Sequence, residues 1–201
     1  MTIRAIIFDA GGVLLCTRDT ERHRQWEQRF GLPTGKLWSL FHWSDLAARA
    51  TIGLISAREL WQQQSTMLGL SAEEQKQLEE DYWSGEYVDT ELLEFIRSLR
   101  PHYKTALLSN AWSDAREAFS RKYRLDEIMD AIIVSAEEGL AKPDPRIFQL
   151  AAERLGVRPD ECIFVDDVLD NVAGAQSISM KGVQFISTEQ CIADVKSLLV
   201  G

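Results

Sequence analysis

The segment 3–15, IRAIIFDAGGVLL, constrains the fold more than any other part of the chain. A run of bulky apolar residues, Ile6, Ile7 and Phe8, leads into Asp9, followed after Ala10 by Gly11-Gly12 and a second apolar run. Consecutive bulky residues cannot alternate between core and water, so this run reads as a parallel strand buried on both faces and ended by the glycines. Asp9 then stands at the carboxyl end of that strand, the edge at which open α/β sheets bind ligands. An aspartate before glycine is also ordinary turn chemistry, so its meaning depends on what the other strands bring to the same edge.

Residues 17–87 have a different character. Four helical patterns follow one another, 19–30, 37–49, 56–68 and 72–83, broken by Gly31, Pro33, Gly53 and the turn at Gly69, with no β-alternation between them. This all-helical insert carries Trp26, Trp38, Trp43, Trp61 and Trp83, which at helical spacing are expected to form the core of a small bundle rather than to line a pocket. Beyond Asp89 helices and strands alternate: helix 90–100, strand 103–108, helix 113–123 with Ser113 as N-cap, strand 131–134, and a helix opened by Asp144-Pro145. Strand 162–165, helix 171–178, strand 182–186 and helix 188–199 complete the series. Such alternation predicts an α/β fold with a doubly wound parallel sheet. Residues 1–16 and 88–201 would form the core domain, and residues 17–87 a helical domain inserted after the first strand.

The formal net charge of −9 over 201 residues leaves no basic stripe for nucleic acid. No apolar run approaches the roughly 20 residues that a membrane helix needs, and the first residues carry no signal pattern, so a cytoplasmic location is expected. Cys16, Cys162 and Cys191 are odd in number and widely spaced, which argues for free thiols; His23, His42 and His102 lack the short spacings of metal sites.

Three further segments put polar groups at or just beyond strand ends. ALLSN closes on Ser109-Asn110, AKPDPRIF presents Lys142 ahead of a helix, and CIFVDDVLDN ends on Asp166-Asp167 with Asn171 following. A doubly wound sheet gathers its strand ends at one edge, so Asp9, Asp166 and Asp167 are expected to crowd together. Crowded carboxylates raise one another's pKa and call for a bound cation, and a few oxygen ligands favour Mg²⁺ completed by water and a substrate phosphate. Asp9 is then the candidate nucleophile, forming an aspartyl-phosphate by in-line attack. Asp167 would hold the metal with Asp9 and the Gly11 carbonyl, supported by Asp166 and Asn171. Ser109, the amide of Asn110 and Lys142 would bind the phosphoryl oxygens, with Pro143 disfavouring helix at Lys142.

Taken together, FDAGGVLL, LLSN, EEGLAKPDPRIF and FVDDVLDNV resemble the four motifs of the haloacid dehalogenase superfamily, and the resemblance spans the whole chain. The chain is similar to the family's small bacterial sugar-phosphate phosphatases and to the N-terminal phosphatase domain of soluble epoxide hydrolase. The resemblance implies phosphoryl transfer to a strand-end aspartate with Mg²⁺, and a four-helix cap over the site that shapes substrate choice. One departure stands out: the family's usual second aspartate, the acid and base of the reaction, is replaced here by Gly11. Three activities follow as expectations. The first is a Mg²⁺-dependent phosphatase of small phosphorylated metabolites, including sugar 1-phosphates, as a monomer or homodimer. The second is a phosphate-binding or regulatory protein with little turnover. The third is a 2-haloacid dehalogenase, which has no use for the Asp166-Asp167 pair.

Overall fold

In the computed structural model, which describes residues 2–18 and 20–200, the apolar run Ala5–Phe8 forms strand β1 with all four residues buried. The chain continues through β2 (Leu15–Thr17), α1 (Glu21–Phe30), α2 (Lys36–His42), α3 (Asp45–Thr51), α4 (Ala57–Met67), α5 (Ala72–Tyr82) and β3 (Glu86–Val88). Then come α6 (Thr90–Leu99), β4 (Lys104–Ser109), α7 (Ala115–Glu117), β5 (Ala131–Val134), α8 (Ser135–Glu138) and α9 (Pro145–Leu155). The last elements are β6 (Cys162–Asp166), α10 (Leu169–Gln176), β7 (Lys181–Gln184) and α11 (Thr188–Val200).

Five strands form a parallel sheet in the order β5-β4-β1-β6-β7. Alternate residues of β1 serve two cores. Ile6 and Phe8 join Leu107, Ile163 and Val165 under α6 and α11, whereas Ala5 and Ile7 join Ala106, Leu108 and Phe164 under α9. Each fully buried Ile, Leu or Phe contributes roughly 1.5–3 kcal/mol, so a strand apolar on both faces is held in the middle of the sheet. The register sets Phe8 beside Leu107 on one side and Val165 on the other. Asp9, Ser109 and Asp166 therefore reach the same edge.

The helices between β2 and β3 have their own core, built from Trp26, Leu37, Phe41, Leu60, Trp61, Leu78 and Tyr82. Capping boxes at Ser56/Glu59 and Ser71/Glu74 start α4 and α5, each satisfying two otherwise unpaired N–H groups. β2 and β3 pair antiparallel, Leu15 with Val88 and Thr17 with Glu86, so the insertion leaves and rejoins the sheet at one place. The start expected for the first helix, Asp19, lies outside the described residues.

Three sequence expectations need correction. The span 37–49 is two helices: Ser44 is extended and its Oγ accepts from Ala47 N at 3.1 Å and Gln64 Nε2 at 2.9 Å, so it caps α3 instead of continuing α2. The insertion accordingly contains five helices among the described residues, not four. Ser113 does not cap the helix that follows it; its Oγ accepts from Ala57 N at 3.0 Å in the first turn of α4, and the chain instead forms α7 and a π-helical turn, Ala118–Lys122. Nor are all the insertion's tryptophans core residues, because Trp38 is 39% exposed and Trp43 79%. All three cysteines are free, as expected.

Candidate active site

Asp9 leaves β1 with its N–H donating to Val165 O at 2.9 Å, which fixes it level with the end of β6. Its Oδ1 accepts from Ala10 N at 2.7 Å and faces Lys142 Nζ at 2.7 Å. Its Oδ2 has no hydrogen-bond donor among the described residues. The two oxygens of one buried carboxylate are thus differentiated: one is anchored and one is available.

Lys142 is almost wholly buried, and its Nζ also donates to Asp166 Oδ2 at 2.6 Å. Asp166 accepts in addition from Asn171 Nδ2 at 3.0 and 3.1 Å and from Val168 N at 2.8 Å, so both of its oxygens are engaged. It organises the site rather than offering a free ligand atom. Asp167, the next residue, is exposed, and one carboxylate oxygen from each of Asp9, Asp166 and Asp167 lies within 4.8 Å of the others. Burial, reinforced by the charge of Asp166 and opposed by Lys142, pushes the Asp9 carboxyl up to about 7. Burial and the charge of Asp166 also raise Asp167. Three carboxylates against one ammonium leave an excess of negative charge that a hard divalent cation would neutralise, and the oxygen-only donor set suits Mg²⁺. The fit is tight at Gly12, where φ is +79° and a Cβ would lie 2.5 Å from Asp167 Oδ2. Only glycine lets the turn pass beneath that carboxylate. Gly11 is exposed, and a Cβ there would meet nothing within 4 Å.

The loop after β4 carries the remaining expected residues. Ser109 is buried and its hydroxyl makes no hydrogen bond among the described residues, leaving it free for a ligand. The side chain of Asn110 is engaged by the backbone of Lys142. Its Nδ2 donates to Lys142 O at 2.9 Å and its Oδ1 accepts from Lys142 N at 2.8 Å, so it splints the lysine backbone and leaves the main-chain N–H as its donor for an anion. Ser135 fixes the next residue, its Oγ accepting from Ala111 N at 3.0 Å and donating to Ala111 O at 3.1 Å.

Trp112, which sequence reasoning passed over, is 5% exposed and completes the core of the helical insertion, edge-on to Trp61 and Trp83. An apolar indole directly after a polar strand-end turn was the available signal, but its partners lie about 30 and 50 residues away in sequence. The insertion and the sheet edge enclose an open cleft of about 1600 Å³. Asp9, Gly11, Ser109, Asn110, Lys142, Asp167 and Asn171 lie on its floor, and residues of α1, α2 and α3 form its roof.

The buried ion cluster carries a stability prediction. Replacing Lys142 by Met leaves Asp9 and Asp166 uncompensated, a change that typically costs about 3–5 kcal/mol. K142M should therefore unfold at markedly lower urea concentration than the native protein, and adding D166N should recover most of the loss. A K142M protein as stable as the native one in metal-free buffer would refute this account of the cluster.

The comparisons agree with the geometry. The chain is 31% identical over 181 residues to D-ribitol-5-phosphate phosphatase from Bacteroides thetaiotaomicron, a match covering 85% of each protein. It is 25% identical to bifunctional epoxide hydrolase 2 from Sus scrofa, covering 98% of this chain but 39% of that one, and 29% identical to acyl-CoA dehydrogenase family member 10 from Mus musculus, of which it spans 19%. Among solved structures, a HAD-like family hydrolase from Porphyromonas gingivalis superposes with a TM-score of 0.82 at 26% identity, with both chains fully covered. A HAD family enzyme from Bacteroides thetaiotaomicron, solved in complex with magnesium and inorganic phosphate, gives 0.75 at 25% identity, covering 90% of this chain and 93% of that one. Residues 3–178 match the family model described as haloacid dehalogenase-like hydrolase, and the chain belongs to that family.

Proposed function

We propose that this protein is a Mg²⁺-dependent phosphatase of small phosphorylated metabolites, sugar 1-phosphates among them, working through an aspartyl-phosphate on Asp9. The observation that carries the reading is the free Oδ2 of a buried Asp9 whose Oδ1 is anchored by Ala10 N and Lys142. Asp9, Asp167 and the Gly11 carbonyl would hold a Mg²⁺ ion, which would supply charge neutralisation for the incoming phosphate. Asp9 Oδ2 attacks phosphorus, and the new O–P bond forms as the ester P–O bond breaks. Lys142, the Ser109 hydroxyl and the Asn110 N–H hold the phosphoryl oxygens while their charge redistributes. Water then attacks the same phosphorus, the Asp9–P bond breaks and inorganic phosphate leaves. Asp166, Asn171 and the Asn110 side chain keep the Lys142 ammonium in place throughout.

Residues 17–87 would act as a cap domain joined to the sheet through the paired strands β2 and β3, admitting substrate and then excluding water. No helix of the described residues is long and apolar enough to cross a membrane. A cytoplasmic protein acting on small molecules, without nucleic acid or membrane as partner, accords with that and with the acidic charge.

Two measurements test the reading. Phosphate release from a panel of sugar, nucleotide and acyl phosphates should require Mg²⁺; a protein that binds phosphate without releasing any would place the chain among regulatory members of the fold. Binding to the native state alone also stabilises it, so Mg²⁺ well above its Kd should raise the Tm by about 5 °C or more. D167A should lose that gain, and a native Tm indifferent to millimolar Mg²⁺ would count against the metal site.

A further inference from the structure

The roof of the cleft has a different chemistry from its floor. In α2, Trp38 and His42 are four residues apart, and their rings stack at 3.8 Å with 12° between planes. His42 Nδ1 is 2.7 Å from Tyr82 Oη, and the Tyr82 ring is parallel to that of Trp38. Burial holds the His42 imidazole down to about 4, so the column is uncharged at neutral pH. One face of the Trp38 indole is thus backed by a fixed support, while the residue stays 39% exposed and lines the cleft. Trp43 lies one residue beyond His42, also lines the cleft, and is 79% exposed without a ring partner among the described residues. Two exposed indoles facing the same cavity are unusual for a soluble domain, and unusual apolar exposure marks a binding surface.

The charged groups of the lining sharpen the choice of ligand. Its cations are Arg24, Lys122 and Lys142. Arg24 pairs with Glu21 at 3.7 Å, Lys122 with Glu86 at 3.7 Å, and Lys142 with Asp9 and Asp166. A second phosphate or a carboxylate on the substrate would have to share a cation that is already paired, whereas a ring with an apolar face meets two open indoles.

Resting on the phosphatase reading of the Asp9 centre, we propose that Trp38 and Trp43 form a leaving-group subsite for monophosphates whose phosphate is carried by an uncharged ring with an apolar face. Aromatic rings and the C–H face of a pyranose share that chemistry. The proposal departs from the open-chain polyol phosphate in the name of the bacterial relative.

The test compares kcat/KM for phenyl phosphate and glucose 1-phosphate with kcat/KM for two ringless substrates, acetyl phosphate and D-ribitol 5-phosphate. Trp43 is 79% exposed and lies outside the insertion's core, so W43A should fold; W38F keeps the stack on His42 and W38A removes it. The ratio of ring to ringless kcat/KM should fall at least tenfold in W43A and W38A and be largely restored in W38F. A fall confined to phenyl phosphate, or to glucose 1-phosphate, supports the subsite and names which ring it takes. Binding provides a readout without turnover: in the D9N protein with Mg²⁺, both ring phosphates should quench tryptophan emission saturably, with an apparent Kd at least tenfold weaker once W43A is added. Equal losses for ring and ringless substrates in the W43A and W38A proteins, or D-ribitol 5-phosphate as the best substrate of the native protein, would overturn the subsite. Absence of any phosphate release by the native protein would instead overturn the phosphatase reading, and the quenching experiment would still decide whether the indoles bind these rings.

Discussion

D9N should abolish phosphate release, lowering kcat by about 10⁴-fold or more, because the substitution removes the proposed nucleophile. Asparagine is nearly isosteric with aspartate and can still accept the hydrogen bond from Ala10 N. It also removes one of three crowded carboxylates while leaving Lys142 paired with Asp166. The folded protein should therefore be retained, with a far-UV spectrum and urea midpoint close to native. Activity within tenfold of native in D9N, measured as phosphate release under saturating Mg²⁺, would show that Asp9 is not the nucleophile.

G11D should have the second large effect, and in the opposite direction. With no carboxyl two residues after Asp9, the leaving oxygen departs largely unprotonated, so the native protein should favour good leaving groups: aryl, acyl and anomeric phosphates over primary-alcohol phosphates such as glucose 6-phosphate. Hydrolysis of the aspartyl-phosphate should also be slow, so native enzyme mixed with p-nitrophenyl phosphate should release a burst of nitrophenol before the steady state. A Cβ at position 11 meets nothing within 4 Å, so the backbone there leaves room for a side chain to start. General acid–base catalysis is typically worth 10²- to 10⁴-fold, so G11D should raise turnover of primary-alcohol phosphates by about that factor and eliminate the burst. A native enzyme indifferent to leaving-group pKa and free of any burst would mean that another side chain supplies the proton.

The parts of this protein that could be read from sequence are those whose physics is local. Asp9, Ser109 and Asp166 each end an apolar run, and a parallel sheet aligns such ends without further information, so their meeting at one edge follows from strand endings and register alone. The roof does not. Ser44 breaks a helical pattern because Gln64, twenty residues on, gives its hydroxyl a partner. Ser113 looks like the cap of its own helix and instead serves α4, because the fold brings Ala57 N within reach. The side chain of Asn110 is taken by the backbone of Lys142, thirty-two residues on, which nothing in the local sequence announces. The periodicity of α2 places Trp38 on one face but cannot say whether that face meets core or cleft, since the answer depends on how the insertion sits over the sheet. In each case the deciding partner is remote in sequence.

The position of Trp112 bears on how far the insertion can be exchanged as a unit. The helical insertion is contiguous in sequence, from β2 to β3, yet its core is closed by an indole from the loop after β4 and one of its helices is capped by the adjacent Ser113. At another corner, Gly53 sits so near the Ala136 carbonyl that a Cβ would lie 2.1 Å from that oxygen. The insertion is therefore not a cassette. A chimera that exchanged residues 17–87 alone for those of a relative would leave Trp112 without its shaped socket and α4 without its outside cap. The packing unit comprises the insertion together with residues 112 and 113, so a new roof built on this scaffold has to be designed with the loop beside the phosphate-binding residues.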